Sequence, residues 1–215
     1  MEAKKFVDFK KEELGVKEYV KYELGKGRIS DVTIEYTPVG EKIIVSTSKP
    51  GLVIGRRGEK IDMLTRVLKK KFKLDNPHIE IREIMDSRLD AQLVADEIAL
   101  LLERKGSLKF KVIAYKMLQD IIRAKALGVE IVLSGKLPSD RAKSWRFWDG
   151  YMKKSGDVAT SQVQKARTTA NLSSGTIGVK IKIMLPNTVL PDKIIIHDPA
   201  KQQPEEKPKT EEAVE

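Results

Sequence analysis

The segment at residues 51–62, GLVIGRRGEKID, sets two arginines between two glycines, after an apolar run and before a run of helix formers. Gly55 and Gly58 carry no Cβ, so the backbone can turn tightly there and the backbone of another molecule can approach closely. A helix that begins after Gly58 directs its free N–H groups and the positive end of its dipole towards the loop. Arg56 and Arg57 add two full charges. The segment therefore predicts a rigid loop that binds phosphate groups.

The pattern of apolar residues around this loop predicts a small unit of helices and one sheet. Apolar residues recur at helical spacing or alternate at strand spacing, and Gly or Pro separates the segments. The first two strands are close enough in sequence to form an antiparallel hairpin. The predicted order is helix 4–24, strands 28–37 and 42–48, helix 59–73, strand 79–84 and helix 88–104.

A second unit is predicted beyond Lys105-Gly106-Ser107, where the pattern restarts with a helix over 108–127. Four extended segments follow at 129–134, 143–152, 161–169 and 178–185. The expected fold class is α+β, with two small α/β sandwich domains, and the second has a mixed or antiparallel sheet packed with helix. The expected domains are 1–105 and 106–190, followed by a tail over 191–215. The tail is rich in Pro, Gln, Glu and Lys and is predicted to be extended or disordered.

The charge of the chain narrows the choice of partner. Lys and Arg number 41 against 31 Asp and Glu, which gives a net charge of +10. Such an excess favours a polyanion, with nucleic acid first and an acidic membrane surface second, although a merely soluble basic surface stays open. The chain has no cysteine, which excludes disulfides and thiolate chemistry. It also has no signal peptide and no apolar run long enough to span a membrane, so we expect a soluble intracellular protein.

The loop and its surroundings resemble a KH domain, in the type II order of elements. KH domains hold about four nucleotides of single-stranded nucleic acid beside such a loop. Residues 49–73 hold nine Lys and Arg against two acids, and much of this charge lies on the helix that follows the loop. The alternatives are a chance pair of glycines and a solvated charged face. On the KH reading, the candidate RNA-binding residues of this half are Gly55, Arg56, Arg57, Gly58, Lys60, Arg66 and Lys70.

A longer resemblance covers residues 5–185. SGKLPSDRAK (134–143), RTTANLSSGTIGVKIKIM (167–184), KPGLVIGRRGEKI (49–61) and LDAQLVADEIALLLER (89–104) are similar to segments of the small-subunit ribosomal protein S-three family, in the family's order. LPDKIIIHDP (190–199) resembles its archaeal and eukaryotic branch. The resemblance implies a structural place in the head of the small ribosomal subunit, in the cytoplasm. The implied partners are ribosomal RNA, messenger RNA and neighbouring ribosomal proteins, with no membrane and no small-molecule substrate.

The family also lines the channel through which messenger RNA enters, using basic residues near the start of the second domain's first helix. Here the matching stretch contains Lys111 and Lys116. Val112 and Tyr115 stand where the bacterial pattern is basic, which puts the family's role in unwinding messenger RNA in question for this chain.

The second unit has basic and aromatic candidates of its own. Lys165 and Arg167, and likewise Lys180 and Lys182, are two residues apart in predicted strands and so share a face, which fits phosphate contacts or a solvated surface. Trp145, Phe147, Trp148 and Tyr151 belong either to the core or to a surface that stacks on bases. The candidate RNA-binding residues here are Lys111, Lys116, Arg141, Lys143, Lys165, Arg167 and Lys180.

Nothing in the sequence favours catalysis. The spacing of the carboxylates Asp140, Asp149 and Asp157 does not match a set of metal ligands. The two histidines, His78 and His197, lie in different regions and suggest no catalytic pair. No Walker A motif is present. We therefore expect no enzyme, no metal and no cofactor. Two alternatives stay open, namely a free-standing KH protein that regulates messenger RNA and, as in some eukaryotic relatives, a nuclease side activity on damaged DNA.

Overall fold

A computed structural model describes residues 2–38, 40–72, 74, 76–188, 190 and 191 of the 215-residue chain. It has two sheets with helices packed against them, so the predicted α+β class is confirmed. Apart from Pro191, the predicted tail over 191–215 lies outside the described residues. The elements are α1 (Glu2–Leu24), β1 (Ile29–Thr37), β2 (Gly40–Thr47), α2 (Pro50–Ile54), α3 (Glu59–Phe72), β3 (His78–Glu83), α4 (Ala91–Lys105), α5 (Phe110–Arg123), β4 (Gly128–Lys136), β5 (Ala142–Gly150), α6 (Asp157–Ser161), β6 (Val163–Leu172) and β7 (Gly175–Met184).

The first sheet has the order β1-β2-β3. The β1 strand is antiparallel to β2, as the hairpin prediction required, and β2 is parallel to β3. Parallel neighbours need a crossover connection, and α2 and α3 provide it. The core of this unit lies between the sheet and the two longer helices, which contribute Val16, Val20, Leu24, Leu64 and Leu68; Val53 of α2 joins the same core. The N-terminal apolar residues of α1, among them Phe6, Phe9 and Leu14, are exposed instead.

The second sheet has the order β5-β4-β7-β6, and all its pairs are antiparallel. One face carries alternate apolar residues of the central strands, such as Ile131 and Leu133 on β4 and Val179 and Ile181 on β7, and all of these are buried. Helices α4 and α5 cover this face. The opposite face carries the other half of each strand's side chains, and α6 packs on one end of it, at Val163 and Met184.

Helix α4 packs with the second unit. Its residues Val94, Ile98 and Leu102 are buried in the same cluster as the second sheet, and α4 contacts β6 and β7. The expected boundary at Lys105-Gly106-Ser107 separates α4 from that core. We therefore propose that the boundary between the packing units lies at residues 84–90, between β3 and α4.

Three side-chain hydrogen bonds connect the described residues of the two units. The buried carboxylate of Asp96 on α4 accepts a hydrogen bond from the Gly27 N–H, with 2.9 Å between Oδ2 and N. The Ser30 hydroxyl on β1 donates to Asp90 Oδ2. Lys26 donates to the Thr169 carbonyl of β6 at 2.9 Å. These bonds join the start of β1 to α4 and β6, so the connection is made by ordered elements.

Asp90 also begins α4. Its Oδ1 accepts from the N–H groups of Gln92 and Leu93 at 3.0 and 3.1 Å, as an N-cap residue does. We expect Asp90→Ala to lower the free energy of unfolding by about 1–2 kcal/mol, because two helix donors and the Ser30 hydroxyl lose their acceptor. Urea unfolding followed by circular dichroism measures the change. Asp90→Asn keeps an N-cap and is the matched control; equal stability of the alanine variant and the wild type would contradict the assignment.

No helix in the part of the chain that the structure describes is both long enough and apolar enough to cross a membrane.

Candidate nucleic-acid interface

The glycine loop lies between α2 and α3. The Gly55 N–H donates to the Gly51 carbonyl at 3.1 Å and closes α2. Gly55 and Gly58 have φ of +75° and +80°, in the left-handed region that side chains rarely adopt. Arg57 also lies there, with φ of +54°. The chain thus makes a tight turn with both arginines exposed at its tip, while Val53 is buried and anchors the turn to the first core.

Lys60 supports the loop from behind. Its Nζ lies 3.4 Å from the Leu52 carbonyl, near the end of α2. A Cβ at Gly55 would lie 2.9 Å from the Lys60 side chain, so the glycine makes room for this lysine. The lysine therefore neutralises the carbonyl end of α2 and packs across the loop. Sequence reasoning assigned Lys60 only to RNA; the structure adds a positioning contact.

The surroundings of the loop combine apolar surface with positive charge. Leu52 and Ile54 before the loop, and Met63 after it, are exposed. Arg66 and Lys70 are exposed on α3 and, one turn apart, share a face of that helix. Exposed apolar side chains beside cations can take the base and the phosphate of a nucleotide.

Reversing the two loop charges should weaken RNA binding. If Arg56 and Arg57 each contact one phosphate, their loss changes the slope of log K against log salt by about 1.4 and lowers affinity about 25-fold at 0.1 M salt. We expect Arg56→Asp with Arg57→Asp to lose at least this much, measured by fluorescence anisotropy of a labelled single-stranded 12-mer. Aspartate tolerates the left-handed backbone at residue 57.

The matched control for that variant is Lys4→Asp with Lys5→Asp, which makes the same charge change on α1. A loop variant that keeps its fold and binds as tightly as this control would remove the loop from the interface.

The second basic surface is the face of the second sheet opposite α4 and α5, beyond the end where Val163 and Met184 are buried with Val158 of α6. We call it the sheet face and define it by its five cations, which point away from the core: Arg146, Lys165, Arg167, Lys180 and Lys182. Lys165 lies directly opposite Lys182, and Arg167 directly opposite Lys180. Like charges at directly opposed strand positions destabilise a sheet. An arrangement that is unfavourable for the bare fold points to a role in binding a polyanion.

One carboxylate organises part of this face. Glu130 on β4, whose side chain is 8% exposed, accepts hydrogen bonds from Arg146 Nε and, at 3.1 Å, from Lys182 Nζ. Within the described residues, no carboxylate lies at ion-pair distance from Lys165, Arg167 or Lys180. The face therefore keeps a net positive charge after its one internal network is formed.

Burial by itself would raise the pKa of Glu130, but the hydrogen bonds from Lys182 and Arg146 outweigh it and hold the pKa below the ordinary value of 4.5. A carboxylate whose pKa is lower in the folded state stabilises the fold above its unfolded-state pKa. That contribution is lost as the pH falls through the lower, folded-state pKa.

We therefore expect Glu130→Gln to lower the free energy of unfolding by about 1–2 kcal/mol at pH 7, since two charge-assisted hydrogen bonds are lost. The difference from the wild type should shrink as the pH falls below 4.5. Urea unfolding between pH 3 and 7 measures both effects. If the difference in free energy of unfolding stayed constant over this pH range, the hydrogen bonds from Lys182 and Arg146 would not stabilise the ionised Glu130 carboxylate.

Comparison with known proteins agrees with both halves of this geometry. The family model described as "KH domain" matches residues 15–88, and the one described as "Ribosomal protein S3, C-terminal domain" matches residues 98–183. The small ribosomal subunit protein uS3 of Methanocaldococcus jannaschii is 42% identical over 195 residues, which cover 91% of this chain and 93% of that protein. This chain belongs to the uS3 family.

Two further uS3 proteins give the same result. Those of Methanococcus maripaludis and Methanothermobacter thermautotrophicus are 38% and 36% identical, over 84% and 83% of this chain and 85% and 68% of their own lengths. The family resemblance, the KH domain and the ribosomal C-terminal domain predicted from the sequence are thereby confirmed. The two matched regions leave residues 89–97 between them, and the second begins within α4.

The remaining candidate residues lie apart from both surfaces. Lys111 on α5 has its ammonium 4.8 Å from the centre of the Trp145 ring, a cation–π contact. Lys116 lines a groove of about 380 Å³ between α4 and α5, together with Lys105 and Lys109. Arg141 precedes β5, and Lys143 lies on β5 but on the opposite side from Arg146. The structure thus distributes the candidate residues over several surfaces.

Sequence reasoning named three cations of the sheet face but left two out of its candidate set. The sequence does indicate Lys182, because the alternation of β7 places it on the same face as Lys180. Arg146 was missed, although its alternation with Phe147 separates it from the core. Trp145 and Phe147 pack in the core, whereas Trp148 is 65% exposed on the sheet face.

In the described part of the chain, no group of three His, Asp or Glu side chains lies close enough together to hold a metal ion. His197 lies outside the described residues.

Proposed function

We propose that this protein is a structural constituent of the head of the small ribosomal subunit, in the cytoplasm, where it binds ribosomal RNA through the glycine loop and the sheet face. The observation that carries the proposal is the match of both halves of the chain, in order, to the two domains of the uS3 family. A subunit position explains why positive charge lies on several separate surfaces, because ribosomal RNA surrounds a protein rather than entering one cleft.

RNA binding at the glycine loop depends on the small size of its glycines and on the positive charge of its arginines. Gly55 and Gly58 let the sugar-phosphate backbone approach, and Arg56 and Arg57 neutralise phosphates from exposed positions. The start of α3 adds the positive end of its dipole. The exposed apolar residues beside the loop, Leu52 and Met63 among them, offer a surface for the bases.

Messenger RNA is the second ligand that we propose, at the N-terminal part of α5. Lys105, Lys109 and Lys116 line one groove, together with the carboxylates Glu97 and Asp120, and Lys111 lies on the other side of the same helix, against Trp145. These lysines supply positive charge near the positions where Val112 and Tyr115 are apolar or aromatic. Val112, Tyr115 and Leu108 are exposed, so we also propose contacts of neighbouring ribosomal proteins or RNA with this part of the surface.

Sedimentation of a cell lysate through a sucrose gradient tests the proposal, with the tagged protein followed in low and high salt. We expect it to travel with the small subunit and to stay there after a high-salt wash. Recovery as a free protein at the top of the gradient would overturn the subunit role and favour a free-standing regulator of messenger RNA that uses the KH unit.

A further inference from the structure

Trp148 is placed unusually for a tryptophan. It lies on β5, an edge strand, and its side chain is 65% exposed on the sheet face. Large aromatic rings are normally buried in the core, as its neighbour Phe147 is. An exposed tryptophan within a charged surface commonly contributes to binding.

Residues of two neighbouring strands hold charged groups at fixed positions around the ring. Trp148 lies directly opposite Glu130 on β4, which in turn lies opposite Lys182 on β7. Because Glu130 holds Arg146 by its Nε, the Arg146 guanidinium is fixed 5.9 Å from the centre of the Trp148 ring. This contact uses at most one face of the ring, and the exposure of Trp148 leaves much of the indole accessible among the described residues, beside a positively charged group.

A cavity of about 260 Å³ opens at this edge of the sheet. Its lining includes Trp148 and Tyr151, which are both exposed, and four charged residues, the carboxylates Glu130 and Asp149 and the cations Arg146 and Lys154. Two aromatic rings and adjacent cations form a chemistry that suits a base and its phosphate. The unpaired cations of the sheet face continue from this edge across β7 and β6, along a path that a nucleic-acid backbone can follow.

We propose that Trp148 stacks on an unpaired RNA base, while Arg146, Lys182 and the remaining cations of the sheet face bind the adjoining phosphates. The inference rests on the proposed RNA-binding function and adds to it a base-stacking site in the second unit. An unpaired base is required because the bases inside a duplex are already stacked and cannot present a face. Stacking is tolerant of sequence, so the site recognises single-stranded or bulged RNA rather than one base.

Tryptophan fluorescence reports directly on this contact, since the chain has only two tryptophans. In the full-length Trp145→Phe variant, Trp148 is the only tryptophan. Titration with a single-stranded uridine 12-mer should quench its emission, because a stacked base quenches an indole. A 12-mer of the same length and charge with abasic sugars should bind without comparable quenching. If Trp145→Phe does not fold, the difference in quenching between the wild type and Trp148→Ala supplies the same signal.

Trp148→Ala should weaken binding of the uridine 12-mer about five- to hundredfold and leave binding of the abasic 12-mer unchanged, as loss of one stacked base predicts. Binding without quenching, or equal quenching by the abasic strand, would overturn the stacking site and leave the subunit role intact. Normal RNA binding by Trp148→Ala, together with small subunits that lose a neighbouring protein, would assign Trp148 to a protein contact and also overturn it. Failure of the wild type to join small subunits would instead overturn the proposed function.

Discussion

Replacement of Lys165, Arg167 and Lys180 by glutamine should lower the affinity for RNA about a hundredfold at 0.1 M salt. Each phosphate contact contributes about 0.7 to the slope of log K against log salt for a single strand, so three lost contacts change the slope by about 2. The loss should therefore shrink towards zero as the salt approaches 1 M. Anisotropy titrations of a labelled 12-mer from 0.05 to 1 M salt measure both the affinity and the slope.

The same triple variant should be at least as stable as the wild type. It removes two like-charged pairs at directly opposed positions, Lys165 with Lys182 and Arg167 with Lys180, and each such pair is unfavourable by a few tenths of a kcal/mol to about 1 kcal/mol. Lower affinity with equal or higher stability is the signature of residues kept for binding. The control, Lys4, Lys5 and Lys11 to glutamine on α1, removes the same charge. If the control lost as much affinity, only the net charge would matter and the sheet face would have no specific role.

The largest loss of stability is expected from a single methyl group. In Gly128→Ala, the new Cβ would lie 2.0 Å from the Tyr151 carbonyl oxygen and 2.5 Å from its carbon, which are backbone atoms that cannot rotate away. Gly128 pairs with Gly150 on β5 and with Met184 on β7, so the start of the central strand must shift on both sides. We expect a loss of about 3 kcal/mol or more, at the upper end of the range for overpacking.

Gly51→Ala is the matched control for Gly128→Ala. Its Cβ would meet no atom within 4 Å, and it lies in the helix α2. Alanine is the better helix former, so this change should be neutral or slightly stabilising. Urea unfolding of the two variants under the same conditions compares them. Equal stabilities would mean that the end of β5 moves freely, and the cavity beside Trp148 and Tyr151 would then have no fixed shape.

The local pattern of apolar and polar residues was sufficient to predict most of the helices and strands. The alternation of Val179, Ile181 and Ile183 with Lys180 and Lys182 predicts β7 and its two faces, and the helical spacing of Leu93, Ile98 and Leu102 predicts α4. Neither pattern says which strands are neighbours, because alternation fixes the face of a side chain and not its partner across the sheet. For the same reason, the sequence did not show that α4 packs on the second sheet.

The candidate site also has a part that the local sequence predicts and a part that depends on the register of the strands. The glycine loop is contiguous in sequence, so Gly55, Arg56, Arg57 and Gly58 were visible at once. The network of Glu130 with Arg146 and Lys182 joins three strands and depends on their register, which no local pattern contains. Alternation also placed Phe147 and Trp148 on opposite faces, but only the packing of α5 determines which of the two is covered.

The hydrogen bonds that Asp90, Asp96 and Thr169 accept from the residues at the start of β1 have a further consequence. They connect the unit that carries the glycine loop directly to the unit that carries the sheet face, and we infer that they hold the two surfaces in one frame. Once RNA is bound at one of these surfaces, binding at the other becomes intramolecular, with an effective concentration set by the fixed distance between them. RNA whose two binding segments match this distance gains the full avidity, whereas other RNA engages a single surface. If both surfaces bind RNA as proposed, we expect this frame to select RNA by its folded spacing, even though phosphate contacts read no sequence.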